Sequence, residues 1–138
     1  ASGRATTPAP PRGGTSERTT VLAVEDEPEV LAIAVAFLRS LGYGVLSASN
    51  AKDALDLLAT HPDIGLLFSD VVLGRGMNGI ALAAEVRRSH PALPVLLTSG
   101  YPHSSKEQPD DIGNFALLRK PYRREELGEA IGRVLSDA

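Results

Sequence analysis

The chain has 138 residues, 43% of them apolar, enough for one ordinary globular domain and short for two. Its formal charge of −3 lacks the basic surplus of a nucleic-acid binder, and the absence of cysteine excludes disulfides and thiolate metal sites. No apolar run approaches the ~18 residues of a membrane span and no secretory h-region opens the chain, so a cytoplasmic domain with no direct nucleic-acid or membrane contact is expected.

Residues 1–19 carry Pro8, Pro10, Pro11, Gly13 and Gly14 and no large aliphatic side chain. Such a segment cannot bury enough surface to offset its ordering entropy, so it reads as a disordered tail or linker, with the folded domain over 20–138. From Thr20 the pattern alternates. "TVLAV" (20–24) reads as a strand, and "EPEVLAIAVAFLRSLG" (27–42) as a helix with Pro28 in its first turn and Gly42 just past its end. A second strand is expected at 43–48 and a helix at about 50–59, capped by Asn50. "IGLLFSD" (64–70) is a third strand and 78–90 a helix. "PVLLTS" (94–99) and "FALLRK" (115–120) are strands four and five, and 122–135 is a last helix with Leu127, Ile131, Val134 and Leu135 on one face. Between strands four and five, residues 100–114 have almost no apolar periodicity, so a fourth helix there should be short, frayed or absent.

Strands apolar throughout, alternating with helices, imply a parallel sheet covered on both faces. Five such units give an α/β, flavodoxin-like, doubly wound sheet of order 2-1-3-4-5, whose ligand sites lie beyond the carboxyl ends of the strands. At those ends this sequence places Glu25 and Asp26 after strand one, Asp70 after strand three, Thr98 and Ser99 after strand four, and Lys120 after strand five. Each is ordinary alone: acids favour a helix N-terminus, an aspartate a turn, a hydroxyl a strand end. Together they form one polar cluster in a compatible strand order. Like carboxylates ~4 Å apart cost about 4 kcal/mol at an effective dielectric near 20, so a bound cation is expected to hold them. Oxygen ligands without His or Cys favour a hard ion, Mg²⁺ or Mn²⁺. With Lys120 and a hydroxyl nearby, the cluster suits a transferring phosphoryl group, and Asp70 is the candidate nucleophile. His61 and His90, each ahead of a proline at a helix end, read as exposed residues without a catalytic role.

The motifs "VLAVEDEPEV", "LLFSDVVLGRGMNG", "PVLLTSGY" and "LLRKPY" resemble those of response regulator receiver domains in two-component signalling, most of all the receivers attached to hybrid histidine kinases. The separations of 44, 29 and 21 residues between Asp26, Asp70, Ser99 and Lys120 suit that family, and the resemblance covers residues 20–136. It implies that Asp70 accepts a phosphoryl group from a phosphohistidine on a sensor histidine kinase or a histidine phosphotransfer protein. It further implies that Asp26 and Asp70 bind Mg²⁺ directly, Glu25 through water, and Val72 through its backbone carbonyl. Ser99 and Lys120 contact the phosphoryl oxygens, and Gly100 leaves room for them. Val72 and Tyr101 border the site as modulators. On this reading the chain is a signalling domain rather than an enzyme, catalysing only its own phosphotransfer and slow dephosphorylation; it fits a free-standing regulator and a fragment of a hybrid kinase equally.

Three departures stand out. The acidic pair is Glu–Asp rather than Asp–Asp, Gly74 replaces the usual proline, and Leu117 occupies the place of the switching aromatic. The first helix is apolar almost all round, and the excess near Ala32, Val35 and Ala36 is a candidate docking face for a partner's helical bundle. Two other readings are a receiver-like interaction module that is never phosphorylated and a small Mg²⁺-dependent phosphohydrolase. Against the latter, no second acid follows Asp70 at two residues' distance.

Overall fold

The computed structural model describes residues 19–73, 78–100 and 115–137. Residues 1–18 of the expected tail, Gly74, Tyr101 and residues 101–114, where a fourth helix should be short, frayed or absent, lie outside these residues. The elements in chain order are β1 (Thr20–Val24), α1 (Pro28–Ser40), β2 (Gly44–Ala48), α2 (Ala51–Thr60), β3 (Ile64–Asp70), α3 (Gly79–Ser89), β4 (Val95–Ser99), β5 (Ala116–Arg119) and α4 (Arg124–Asp137). The strands form one parallel sheet of order β2-β1-β3-β4-β5, as the apolar pattern predicts. The last helix starts two residues later than expected: Tyr122 and Arg123 belong to the turn after β5.

Alternation along each strand divides the core in two. Leu22 and Val24 of β1 and Leu67 of β3 face α2 and α3, where they meet Ala54, Leu58, Leu82 and Val86. Val21, Ala23, Leu66 and Phe68 face α1 and α4, against Leu38, Leu127 and Ile131. Both faces of the central strands are therefore dry, and each fully buried Leu contributes about 1.5–3 kcal/mol relative to exposure. Only a parallel sheet covered on both sides asks for strands this uniformly apolar.

Local signals place the helices. Asn50 and Asn78 cap α2 and α3 by accepting the amides of Asp53 and Ala81, each at 2.8 Å. The end of α1 is a Schellman turn: the Gly42 amide donates to Arg39 and the Tyr43 amide to Leu38, at 3.0 and 3.1 Å. That closure needs a left-handed residue, and Gly42 adopts φ 98°.

Candidate functional site

The carboxyl ends of β1, β3 and β5 and the start of the chain after β4 meet in a cleft of about 280 Å³. It is lined by Glu25, Asp26, Glu27, Asp70, Val72, Gly100 and Lys120. Ligating oxygens of Glu25, Asp26 and Asp70 lie within 4.8 Å of one another. Six of the expected site residues thus converge as the strand order requires: Glu25, Asp26, Asp70, Val72, Gly100 and Lys120. Ser99 is buried at the end of β4 and is not among the lining residues, while Tyr101 is outside the described residues.

Lys120 changes the account of how the acids tolerate each other. Its Nζ donates to Glu25 Oε1 at 2.9 Å and to Asp70 Oδ2 at 3.0 Å. The sequence reading assigned the neutralising role to a divalent ion and gave the lysine to a phosphoryl group. In the folded chain the ammonium itself bridges two of the three carboxylates. The remaining oxygens are also used: Glu25 Oε2 accepts the Glu27 amide at 3.3 Å, and Asp70 Oδ1 accepts the Val72 amide at 3.2 Å. Glu25 and Asp70 are almost fully buried, whereas Asp26 is exposed at the cleft's rim. Asp26 is the carboxylate most open to an ion arriving from solvent.

Burial, together with the charge on Asp70, pushes the Glu25 carboxyl above its usual range, against the lowering effect of Lys120. Burial alone would lower the Lys120 pKa. The hydrogen bonds and charges of Glu25 and Asp70 outweigh it, so the ammonium is held above its ordinary value. The two shifts differ in origin: burial raises Glu25, whereas the neighbouring carboxylates raise Lys120 against burial.

Around this cluster the backbone is drawn tight. The Gly79 amide donates to the Val71 carbonyl at 2.8 Å, bringing the start of α3 onto the end of β3. A Cβ at position 79 would lie 1.9 Å from the Asp70 carbonyl oxygen. Gly79 therefore fixes where Asp70 sits, a role the sequence reading did not assign. The "NG" pair before an apolar helix was the available signal, but it signals a turn without saying what the turn approaches.

Beneath Lys120, Tyr122 packs edge-on against Phe37 of α1 and Phe68 of β3, with ring centroids 6.1 and 6.0 Å away. Burial is the main reason its phenol is pushed up to about 12; Glu25 and Asp70 add to the shift and Lys120 opposes it. A raised pKa means that the neutral ring's stabilising contribution is complete below pH ~10 and disappears as pH climbs through about 12. In an alkaline absorbance titration we expect a tyrosinate component near pH 12, absent from Tyr122→Phe. Ionisation of every tyrosine near pH ~10 before unfolding would contradict this burial.

Sequence and structure comparisons agree with the geometry. The family model for the response regulator receiver domain matches residues 21–132. The chain belongs to the response regulator receiver domain family. Among its relatives, the sensor kinase CckA of Brucella abortus is 33% identical over 119 residues, covering 84% of this chain and 12% of the kinase. The nitrogen assimilation regulatory protein NtrX of Azorhizobium caulinodans is 29% identical, covering 83% and 26%. The chain thus spans 12% and 26% of these proteins' lengths. Among solved structures, the NtrX receiver domain from Brucella abortus superposes with a TM-score of 0.76 at 28% identity, over 86% of this chain and 99% of that one. The fold of this receiver domain is that of two-component signalling. Among its described residues no helix is long and apolar enough to cross a membrane.

Proposed function

We propose that this receiver domain takes a phosphoryl group onto Asp70 from the phosphohistidine of a sensor histidine kinase or histidine phosphotransfer protein, and so switches a protein–protein contact in the cytoplasm. The observation that carries the reading is the convergence of Asp70, two further acids and Lys120 in one cleft from three separate strand ends.

An Asp70 carboxylate oxygen attacks phosphorus, the O–P bond forms, the N–P bond breaks and the imidazole of the donor leaves with its electron pair. The donor set fits Mg²⁺ or Mn²⁺, since three carboxylates within 4.8 Å offer only hard oxygen ligands. Asp26 and Asp70 would hold the ion directly, Glu25 through water, and Val72 through its carbonyl. Such an ion offsets the charge of the incoming phosphoryl group. Lys120, now on Glu25 and Asp70, exchanges the Asp70 carboxylate for a phosphoryl oxygen, so its ammonium keeps two anionic partners throughout. Gly100 keeps the space above Lys120 open, for a Cβ there would already touch the lysine's Cδ at 3.4 Å. Ser99, one residue earlier and buried at the end of β4, supplies a contact to the phosphoryl oxygens that differs between the two states of the switch. Val72, 43% exposed beside the cleft, modulates access of water to the aspartyl-phosphate.

Incubation with acetyl phosphate and Mg²⁺ followed by intact mass measurement tests the reading. One phosphoryl adduct is expected on the wild type and none on Asp70→Asn. Steady release of phosphate from added esters would mark a phosphohydrolase, and the absence of any adduct would leave an unphosphorylated interaction module.

The donor's docking face is α1. Ile33 is 54% exposed there, with Ala32 and Ala36 also exposed on the same helix and no described residue covering them. Placing a charge at Ala36 should reduce phosphotransfer from a histidine phosphotransfer partner by about tenfold or more, the effect of desolvating an unpaired charge at an interface. Labelling by acetyl phosphate should be unchanged in Ala36→Glu. Equal losses with both donors would argue against a docking role.

A further inference from the structure

The two histidines that sequence reasoning set aside meet at the opposite edge of the sheet. His61 ends α2 and His90 ends α3, and both are half-buried rather than exposed. They line one cavity of about 370 Å³ whose other walls include Leu58, Ile64, Pro62 and Pro94. The cavity lies at the first residue of β3 and the acid cleft at its last, six residue steps or roughly 20 Å away.

Hydrogen bonding fixes the tautomer of His61 and admits the same one at His90. His61 Nδ1 lies 3.2 Å from the Leu57 carbonyl, which can only accept, so Nδ1 carries the proton. The Thr60 hydroxyl, 3.0 Å from the same nitrogen, spends its own proton on the Asp56 carbonyl at 3.0 Å and accepts from the ring. At His90 the partner is a hydroxyl alone: when Ser89 Oγ donates to the Glu85 carbonyl at 3.0 Å it accepts the His90 Nδ1 proton at 3.0 Å, and the ring takes the same tautomer. The repeated hydroxyl–His–Pro pattern, "THP" at 60–62 and "SHP" at 89–91, thus lets both rings turn Nδ1–H to their own helix and present Nε2 as an acceptor. Among the described residues, neither Nε2 has a hydrogen-bond donor.

We propose that this cavity binds a small aromatic molecule carrying two hydrogen-bond donors, its ring against the prolines and aliphatic side chains and its O–H or N–H groups on the Nε2 atoms of His61 and His90. A mostly apolar cavity of this size with a few oriented polar groups is the ordinary form of a small-molecule site. A transition metal fits less well. The one cluster of three ligating side chains among the described residues is at the acid cleft, and two imidazoles alone do not complete a tetrahedral set.

The test uses the whole ¹⁵N-labelled chain and a matched pair of probes, dihydroxynaphthalene and its dimethyl ether. With the diol at millimolar concentration, shifts are expected at the amides of Gly65, Ala92 and Leu93 and at the Nε2 resonances of His61 and His90. The ether, which has the same apolar body and no donor, should bind at least tenfold more weakly. His61→Phe and His90→Phe keep the ring and remove the acceptor, and each should weaken the diol roughly three- to tenfold, the loss of one net hydrogen bond. Equal binding of diol and ether, shifts confined to other regions, or no shifts at all would each overturn the proposal. If a phenylalanine variant does not fold, the wild-type comparison of the two probes decides alone.

Discussion

Lys120→Ala is expected to lower the free energy of unfolding by about 3 kcal/mol at neutral pH, and Mg²⁺ is expected to restore much of it. Removing one partner of a buried ion pair costs about 3–5 kcal/mol because the other charge is left desolvated and alone. Here two carboxylates are abandoned at once, Glu25 and Asp70, which lie 2.9 and 3.0 Å from the ammonium. The lysine side chain keeps 21% of its exposure, so water screens part of the loss and the lower end of that range applies. Without the ammonium, protonation of Glu25 becomes the cheapest relief, and the variant should gain stability as pH falls through the raised pKa of that carboxyl. Urea unfolding with and without Mg²⁺ reads both effects. If the wild type and the variant unfold at the same denaturant concentration in the absence of metal, the lysine does not hold the acids together.

Gly79→Ala should cost about 3 kcal/mol or more, at the upper end of what overpacking does, and should abolish labelling of Asp70 by acetyl phosphate. An added methyl would meet the Asp70 carbonyl oxygen at 1.9 Å, its carbonyl carbon at 2.8 Å and Val71 Cα at 2.9 Å. All three are backbone atoms, so no rotamer change relieves the overlap. The start of α3 must move off the end of β3, carrying the Val71 hydrogen bond and the aspartate with it. Gly132→Ala is the matching control. A Cβ there has nothing within 4 Å, and the change should stabilise α4 by up to ~1 kcal/mol through helix propensity. Comparable midpoints for the two variants in thermal unfolding would show that the approach at Gly79 is not tight.

Much of this could be read from the sequence because the signals are local or periodic. Asn50 stands ahead of an apolar helix, and Gly42 ends one; both act in the folded chain as such residues do elsewhere. The sheet order followed from uniformly apolar strands, and it brought Glu25, Asp26, Asp70 and Lys120 into one cleft. What local signals do not encode is which polar group satisfies which. The same lysine suits a phosphoryl oxygen and two neighbouring carboxylates, and only the packed geometry shows that it reaches both carboxylates. In "VLLTS" all five residues are buried, so composition does not say which hydroxyl reaches the cleft. The buried Thr98 hydroxyl has no hydrogen-bond partner, and its residue pairs in register with Asp70. The histidines, expected to be exposed, are half-buried for a related reason. A His–Pro step signals a helix end but not that two such ends face a common cavity.

The contact between Lys120 and Glu25 joins groups 95 positions apart along the chain. During synthesis the first of these acids leaves the ribosome long before its counter-charge exists, and at ~5–20 residues per second the wait is several seconds. Throughout that interval the growing polypeptide lacks the cation that bridges these acids in the folded chain. The acid cleft is therefore complete only in molecules whose fifth strand has docked.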